Sequence, residues 1–422
     1  MNKQNFNNNQ AKTIEATQTL KFNLFDPKVR INPYPTYHHL RSESPVHRYF
    51  VGGDWLVSRY ADVKAVLRSN YVRSQDKPKS VQERNQYLQD REKNLNTLAY
   101  TISQFLFYMD APDHTRLRNL VAKVFSPMVV ERMRPQIQEI VNELLDKVRY
   151  KGSMDIIADF AIPLPVTVIS RLLGVPKEDQ DQLHQWSNVF SRILDSLVSL
   201  EEFEAMNEVT KGFKEYFRAL IAKREKQPQG DLISALIAAR EQTDKLSQDE
   251  LLATCIMLFT TGEESTVNTI GNGMLALLNH PDQIEQLKRE PTLIQSAVEE
   301  ILRYDSPVQT TTRIATVNFE IGNQTIQAGE KVVLCLGAAN RDPEQFPDPD
   351  RLIINRNPNP HVAFGDGTHF CLGASLARIQ AQIAINALIQ QFSNLELVSN
   401  QLELRKNAVL RGFKAIPVSF TC

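Results

Sequence analysis

Beyond Pro112 apolar residues return at every third or fourth position through most of the chain. Broken at proline, glycine and capping serine, that pattern predicts helices over roughly 112–123, 127–149, 163–173, 177–196, 201–226, 230–240, 247–279, 281–289 and 291–304. Shorter helices are predicted at Tyr34–Leu40 and Tyr60–Asn70, and a strong one resumes at Leu372 and reaches Gln391. Period-two alternation is confined to a few places. Val46–Val51 and Trp55–Val57 flank Gly52-Gly53-Asp54, and Val317–Glu320 and Gln324–Gln327 flank Gly322-Asn323, so both read as hairpins. Lys331–Leu336 reads as a further strand, and the tail 394–421 as a terminal hairpin turning at Arg411-Gly412. Residues 71–99 are polar and weakly periodic, a long loop with short helical pieces of the kind that serves as a lid. Residues 341–361, rich in Pro, Asp and Asn, should meander. The expected class is mainly α with a small β portion.

Charge and composition narrow the partners. With 48 Lys+Arg against 49 Asp+Glu the net charge is −1, which offers nothing to nucleic acid or an anionic membrane. The longest dense apolar run, Leu251–Phe259, is too short to span a bilayer. The Asn- and Gln-rich residues 1–19 read as a disordered tail, neither signal peptide nor anchor. No interior stretch reads as a linker, so 20–422 is expected to form one domain. The four cysteines, Cys255, Cys335, Cys371 and Cys422, contain no C-x-x-C pair and suit a reducing compartment. A soluble cytoplasmic protein is expected.

One cysteine has an unusual setting. Phe364-Gly365-Asp366-Gly367-Thr368-His369-Phe370-Cys371-Leu372-Gly373 places Cys371 in a glycine-punctuated loop just ahead of a helix. Glycine lets backbone approach a flat ligand, and a helix N-terminus favours a thiolate. A buried structural cysteine is the commonest fate of a lone Cys, but three glycines around it weaken that reading. A thiol nucleophile would need a positioned base, and His369, two residues away in an extended loop, points elsewhere. A thiolate on a haem iron fits better.

Phe364–Gly373 matches the haem-binding signature of the cytochrome P450 family, F-x-x-G-x-x-x-C-x-G, and the chain resembles the soluble bacterial type over nearly its whole length, roughly 22–420. The resemblance implies the P450 fold, with haem b between a long central helix and the cysteine loop. It implies Cys371 as axial ligand, Phe364 beside its sulfur, and Gly365 and Gly373 shaping the seat.

Three further segments acquire roles. Glu300 and Arg303 share a helix face; alone they would be a surface ion pair worth at most about 1 kcal/mol. They resemble the family's E-x-x-R motif, which implies a buried network with an arginine of the later meander, and Arg351 sits where that partner is expected. Next, the predicted helix 247–279 carries Thr261-Gly262-Glu263-Glu264-Ser265-Thr266 among apolar neighbours. A mid-helix glycine costs about 1 kcal/mol relative to Ala, so Gly262 calls for a reason such as a ligand against the backbone. A solvated glutamate pair is the bland alternative. The segment resembles the family's oxygen-binding motif, with Glu264 as acid and Ser265 as alcohol of a proton relay. Serine stands where threonine is usual, Glu263 adds a second acid, and Thr266 offers an alternative hydroxyl. Finally, His114 and Arg118, four apart, can meet one anion, although surface exposure is the default for either. They resemble the family's D-x-P-x-H-x-x-x-R segment, and Arg313 its R-x-A arginine. With His369, the resemblance implies that they hold the haem propionates.

The implied activity is monooxygenation: one oxygen atom of O2 enters a small lipophilic substrate, and two electrons come from a ferredoxin or flavodoxin with its reductase. The enzyme is expected to be monomeric. Lys123, Arg132 and Arg134 are candidate docking cations, each more ordinarily a solvated charge. Family position nominates substrate contacts in the 71–108 lid with Phe105, Leu106 and Phe107, and in Leu258, Phe259, Thr261, Val308–Thr311 and Val409-Leu410. A peroxygenase, a haem-thiolate isomerase or dehydratase, and a non-catalytic haem sensor are the alternatives. The acid–alcohol pair favours the O2 route, which alone needs such a relay.

Overall fold

The computed structural model describes residues 23–421 apart from 24–25, 50–52, 75, 89–92, 124, 196 and 244–245. The expected tail over 1–19 lies outside the described residues. The chain is dominated by helices, as expected. The central one, Gln248–Leu278, spans 31 residues, about 46 Å at 1.5 Å per residue. Its start is set by a capping box in which the Ser247 side chain and the N–H of Glu250 satisfy one another reciprocally with Glu250's carboxylate and the N–H of Ser247. Nearly every face is buried, which explains its weak amphipathic pattern: it is a core strut rather than a surface helix. It packs on Pro163–Leu173, Ile294–Tyr304 and Ala374–Gln391, and these helices place the site.

Among the described residues ten short strands make up the β portion: β1 Val46–Arg48, β2 Trp55–Val57, β3 Val72–Ser74, β4 Ser153–Asp155, β5 Thr310–Ala315, β6 Phe319–Ile321, β7 Gln324–Ile326, β8 Lys331–Cys335, β9 Ser393–Leu397 and β10 Pro417–Thr421. They form a five-stranded sheet ordered β1-β2-β8-β5-β3, a three-stranded sheet β4-β10-β9 and the β6-β7 hairpin. Strands β3, β4 and β5 carry no clear alternation, and sequence reading missed them. They exist because partners claim their backbone. Ser74 of β3 pairs with Arg313 of β5, which pairs in turn with Val332 of β8.

Other differences are local. The predicted helix 127–149 is two, Pro127–Glu131 and Arg134–Asp146; each has a proline in its first turn, where the missing N–H costs nothing. Residues 71–108 hold more structure than a loop: β3, the helices Lys77–Glu83 and Asn96–Ser103, and two 3₁₀ turns. Among the described residues one helical stretch, Ile156–Leu173, is long and apolar enough to cross a membrane; 61% of it is buried in the protein, and its first turns are π-helical.

Candidate functional site

The cysteine loop is held open by its own backbone. The N–H of Cys371 donates to the Phe364 carbonyl at 2.9 Å, and the N–H of Phe370 to Gly367 at 3.1 Å. Gly365 and Gly367 take φ of 72° and 70°, the left-handed region that suits glycine. A Cβ at Gly367 would also stand 2.5 Å from the Leu67 carbonyl oxygen, so the loop lies flush on the C-terminal end of helix Tyr60–Arg68. Asp366 caps the 3₁₀ turn Gly367–His369 and pairs with Arg68 at 3.0 Å. Burial pushes the Cys371 thiol up, against the Gly373 N–H and the Arg118 and Arg378 cations. A bound cation such as a metal ion beside the sulfur would favour the thiolate against that burial. Phe364 stacks under the Arg378 guanidinium at 4.5 Å, and Arg378 is fixed by Glu299 at 2.7 and 2.9 Å.

His114 and Arg118 of helix Asp113–Val121 and Arg313 of β5 gather beside His369 of this loop. The His114 and His369 rings lie 4.2 Å apart, and Arg118 donates to the Phe370 carbonyl at 2.6 Å. His369 also sits 3.3 Å from the Ser74 hydroxyl, across β3 from Arg313. Burial, then His114, Arg313 and Arg118, drive the His369 pKa down to about 3. His114 Nε2 is buried without a partner. Asp110 lies near His114 and Arg313 but is engaged by the Ser74 N–H at 2.9 Å. Four crowded basic groups with an orphaned ring nitrogen fit the two carboxylates of a porphyrin, and a thiol beside them fits its iron.

On the central helix, Glu263 and Glu264 diverge. Glu263 is buried against His184, with 3.2 Å between Nδ1 and Oε2. Burial raises Glu264 above the ordinary carboxylate range, opposed by Arg405, 3.9 Å away, and the Ser191 hydroxyl. Its Oε2 has no partner. The two hydroxyls differ. Thr266 is buried and reaches back toward the Gly262 carbonyl at 3.4 Å, whereas the half-buried Ser265 hydroxyl has no hydrogen bond among the described residues. A Cβ at Gly262 would meet Ile169 at 3.4 Å, ordinary van der Waals contact, so packing against the neighbouring helix does not itself require the glycine.

The Glu300–Arg303 pair is fully buried, with bonds of 2.7 and 2.8 Å. Its partner in the meander is Arg356, at 3.1 and 3.2 Å, not Arg351, whose side chain is 75% exposed and which offers only its carbonyl. Spacing could not separate the two; only the turn of the meander does.

A cavity of about 520 Å³ opens beside this constellation, with Arg313 and His369 in its lining. Val308–Thr311, Val409, Leu410 and Phe107 line it, as expected. Phe105 and Phe259 do not: both are fully buried, Phe259 among Phe213 and Phe217, and Leu258 is core as well.

Sequence comparison agrees with this geometry. The cytochrome P450 family model matches residues 68–419. A biotin biosynthesis cytochrome P450 of Bacillus subtilis (strain 168) is 41% identical over 391 residues, covering 92% of this chain and 96% of that protein. A vitamin D(3) 25-hydroxylase of Pseudonocardia autotrophica is 39% identical over 412 residues, covering 96% and 98%. Among solved structures, P450BioI in complex with hexadec-9Z-enoic acid ligated acyl carrier protein superposes with TM-score 0.87 at 39% identity, covering 93% of this chain and 99% of that one. The family implies a haem and the use of O2, and the chain, a P450 in fold as well as in sequence, belongs to the cytochrome P450 family of oxidoreductases.

Proposed function

We propose that this enzyme is a haem-thiolate monooxygenase that inserts one oxygen atom of O2 into a small apolar organic molecule, with haem b held by Cys371. The observation that carries the reading is the convergence of His114, Arg118, Arg313 and His369 beside Cys371, four basic groups among which the buried His114 Nε2 has no partner. When bound, the haem supplies the redox-active iron at which O2 and electrons meet. The rest falls to the chain. Cys371 donates its sulfur, while Gly365 and Gly373 leave room for the ring and Phe364, pinned by Arg378, backs the loop. Ser265 is the relay alcohol rather than Thr266, because its hydroxyl is uncommitted. Glu264, ionising against Arg405, delivers protons to it.

Electrons come from a separate ferredoxin or flavodoxin docking on the Cys371 face, where Phe370 and Met128 stand 38% and 65% exposed. Of the nominated cations Lys123 and Arg132 are exposed, while Arg134 is neutralised by Glu131. We read the protein as one domain, soluble, cytoplasmic and monomeric; one apolar cluster, which draws on residues from Val81 to Phe420 beside two smaller ones, supports the first of these.

The test is the spectrum of the reduced protein under carbon monoxide. A strongly red-shifted Soret band is expected, and Cys371→Ser should abolish it; a band that persists in the variant overturns the ligand assignment.

A further inference from the structure

Burying charge without a counter-charge is expensive, and a cavity that does so is built for something that brings the counter-charge. The cavity here is lined by both signs, but most of its charges are matched. Asp76 pairs with Arg73 at 3.8 Å, Arg405 with Glu264 at 3.9 Å and Arg411 with Asp305 at 2.8 Å. Asp195 pairs with Arg192, and Asp54 lies near Lys331 and Arg48. Four cations of the lining have no such partner among the described residues: Arg30, held by the Arg405 and Asn407 carbonyls, Arg313, which stands near His369 of the cysteine loop, and the pair Lys77 and Arg84, which lie near each other. Both members of the pair are half-buried, both line the cavity, and neither has a carboxylate within ion-pair distance among the described residues. The Lys77 ammonium donates to the Asp195 backbone carbonyl at 2.6 Å. Arg84 is bound to the carbonyl and hydroxyl of Ser80. The two cations flank one ring: Lys77 stands 5.9 Å from the centroid of Phe203 and Arg84 4.7 Å from it. They therefore stand close enough to repel. Burial, then Arg84, Lys331 and Arg192, bring the Lys77 pKa down to about 8.

We propose that Lys77 and Arg84 form a seat for the oxyanion of the substrate, an acid group at one end of an apolar chain. Resting on the monooxygenase reading, this names the substrate class of that site. With the acid at the seat, the chain can lie against Leu194, Leu197, Val308 and Leu410 of the same cavity, which Arg313 and His369 also line. A compact ammonium beside a planar guanidinium suits carboxylate and phosphate alike. The oxyanion thus has two sources: the carboxylate of a free fatty acid, or the phosphate of a pantetheine arm carrying the chain as a thioester.

Equilibrium titration of the haem-loaded enzyme tests this, read by calorimetry and by the spin-state shift. The probes are tetradecanoic acid, tetradecan-1-ol, and the phosphopantetheine and pantetheine thioesters of tetradecanoic acid. At least one anionic probe should bind about 10- to 100-fold tighter than its neutral counterpart. Lys77→Gln should erase that advantage while leaving the neutral probe within about 2-fold, and Lys77→Arg should restore most of it. Discrimination between acid and alcohol identifies the carboxylate; discrimination between the two thioesters identifies the phosphate. Equal binding of charged and neutral probes by the native enzyme overturns the proposal, as does an equal loss for both in Lys77→Gln. Loss of haem from Lys77→Gln would reassign the lysine to the cofactor. The carbon monoxide spectrum of the same sample separates the readings: if the red-shifted band is present and discrimination absent, the oxyanion seat alone fails.

Discussion

Arg303 donates to the backbone carbonyl of Asn340 at 2.9 Å, and the Asn340 side chain accepts the N–H of Val362 at 2.8 Å. Val362 in turn accepts the Gly365 N–H at 2.9 Å. The buried ion pair is thus linked by consecutive hydrogen bonds to the start of the cysteine loop. Its role is mechanical: it fixes where the loop begins.

The partner in that network can be tested directly. Arg356→Ala removes a buried cation from Glu300 and should cost about 3 kcal/mol of stability. Arg351→Ala leaves its carbonyl bond intact and should change stability by less than about 0.5 kcal/mol. Urea unfolding of the two variants checks the order.

The relay alcohol makes a second prediction. Ser265→Ala should uncouple electron consumption from product and release hydrogen peroxide, while Thr266→Ala, which breaks only a bond back to Gly262, should do so far less. The reverse ranking in a peroxide assay would move the role to Thr266.

Glu264 supplies a pH test. Burial raises its pKa and Arg405 restrains the rise. In Arg405→Gln the restraint is gone, so less carboxylate exists at neutral pH. The acid limb of the turnover profile should move to higher pH. A limb that stays in place would show that another group titrates.

Glu299 bears on stability. Burial alone would raise its pKa, but His361 and Arg378 outweigh it and bring the carboxyl from 4.5 to about 2. A depressed acid stabilises the fold above its unfolded value and ceases to as pH falls through the folded one. Glu299→Gln should therefore cost about 3 kcal/mol at neutral pH. The gap to the native protein should shrink below the ordinary carboxylate range and close near pH 2. Denaturant unfolding across that range measures it.

The sequence was most informative where one segment carries its own signal. Cys371 with its flanking glycines, the capped helix over 247–279 and the hairpin at Gly322-Asn323 could all be read directly. What escaped depends on distant partners. β5 has no usable alternation, yet it sets Arg313 beside Ser74 and His369. Arg351 and Arg356 are equivalent in spacing and opposite in burial. Phe105 and Phe259 are apolar in any context, and only packing shows that they face the core rather than the cavity.

Asp195 joins three segments around the cavity. Its carbonyl takes the Lys77 ammonium, its carboxylate takes the N–H groups of Ala408 and Val409 at 2.8 and 3.3 Å, and Arg192 holds its other oxygen. One side chain and its own peptide therefore latch the lid, the segment after helix Gln180–Phe190 and the terminal loop to one another. A molecule arriving over this side meets a single catch, not three independent flaps. Movement of any one of the three segments therefore disturbs the bonds of the same residue.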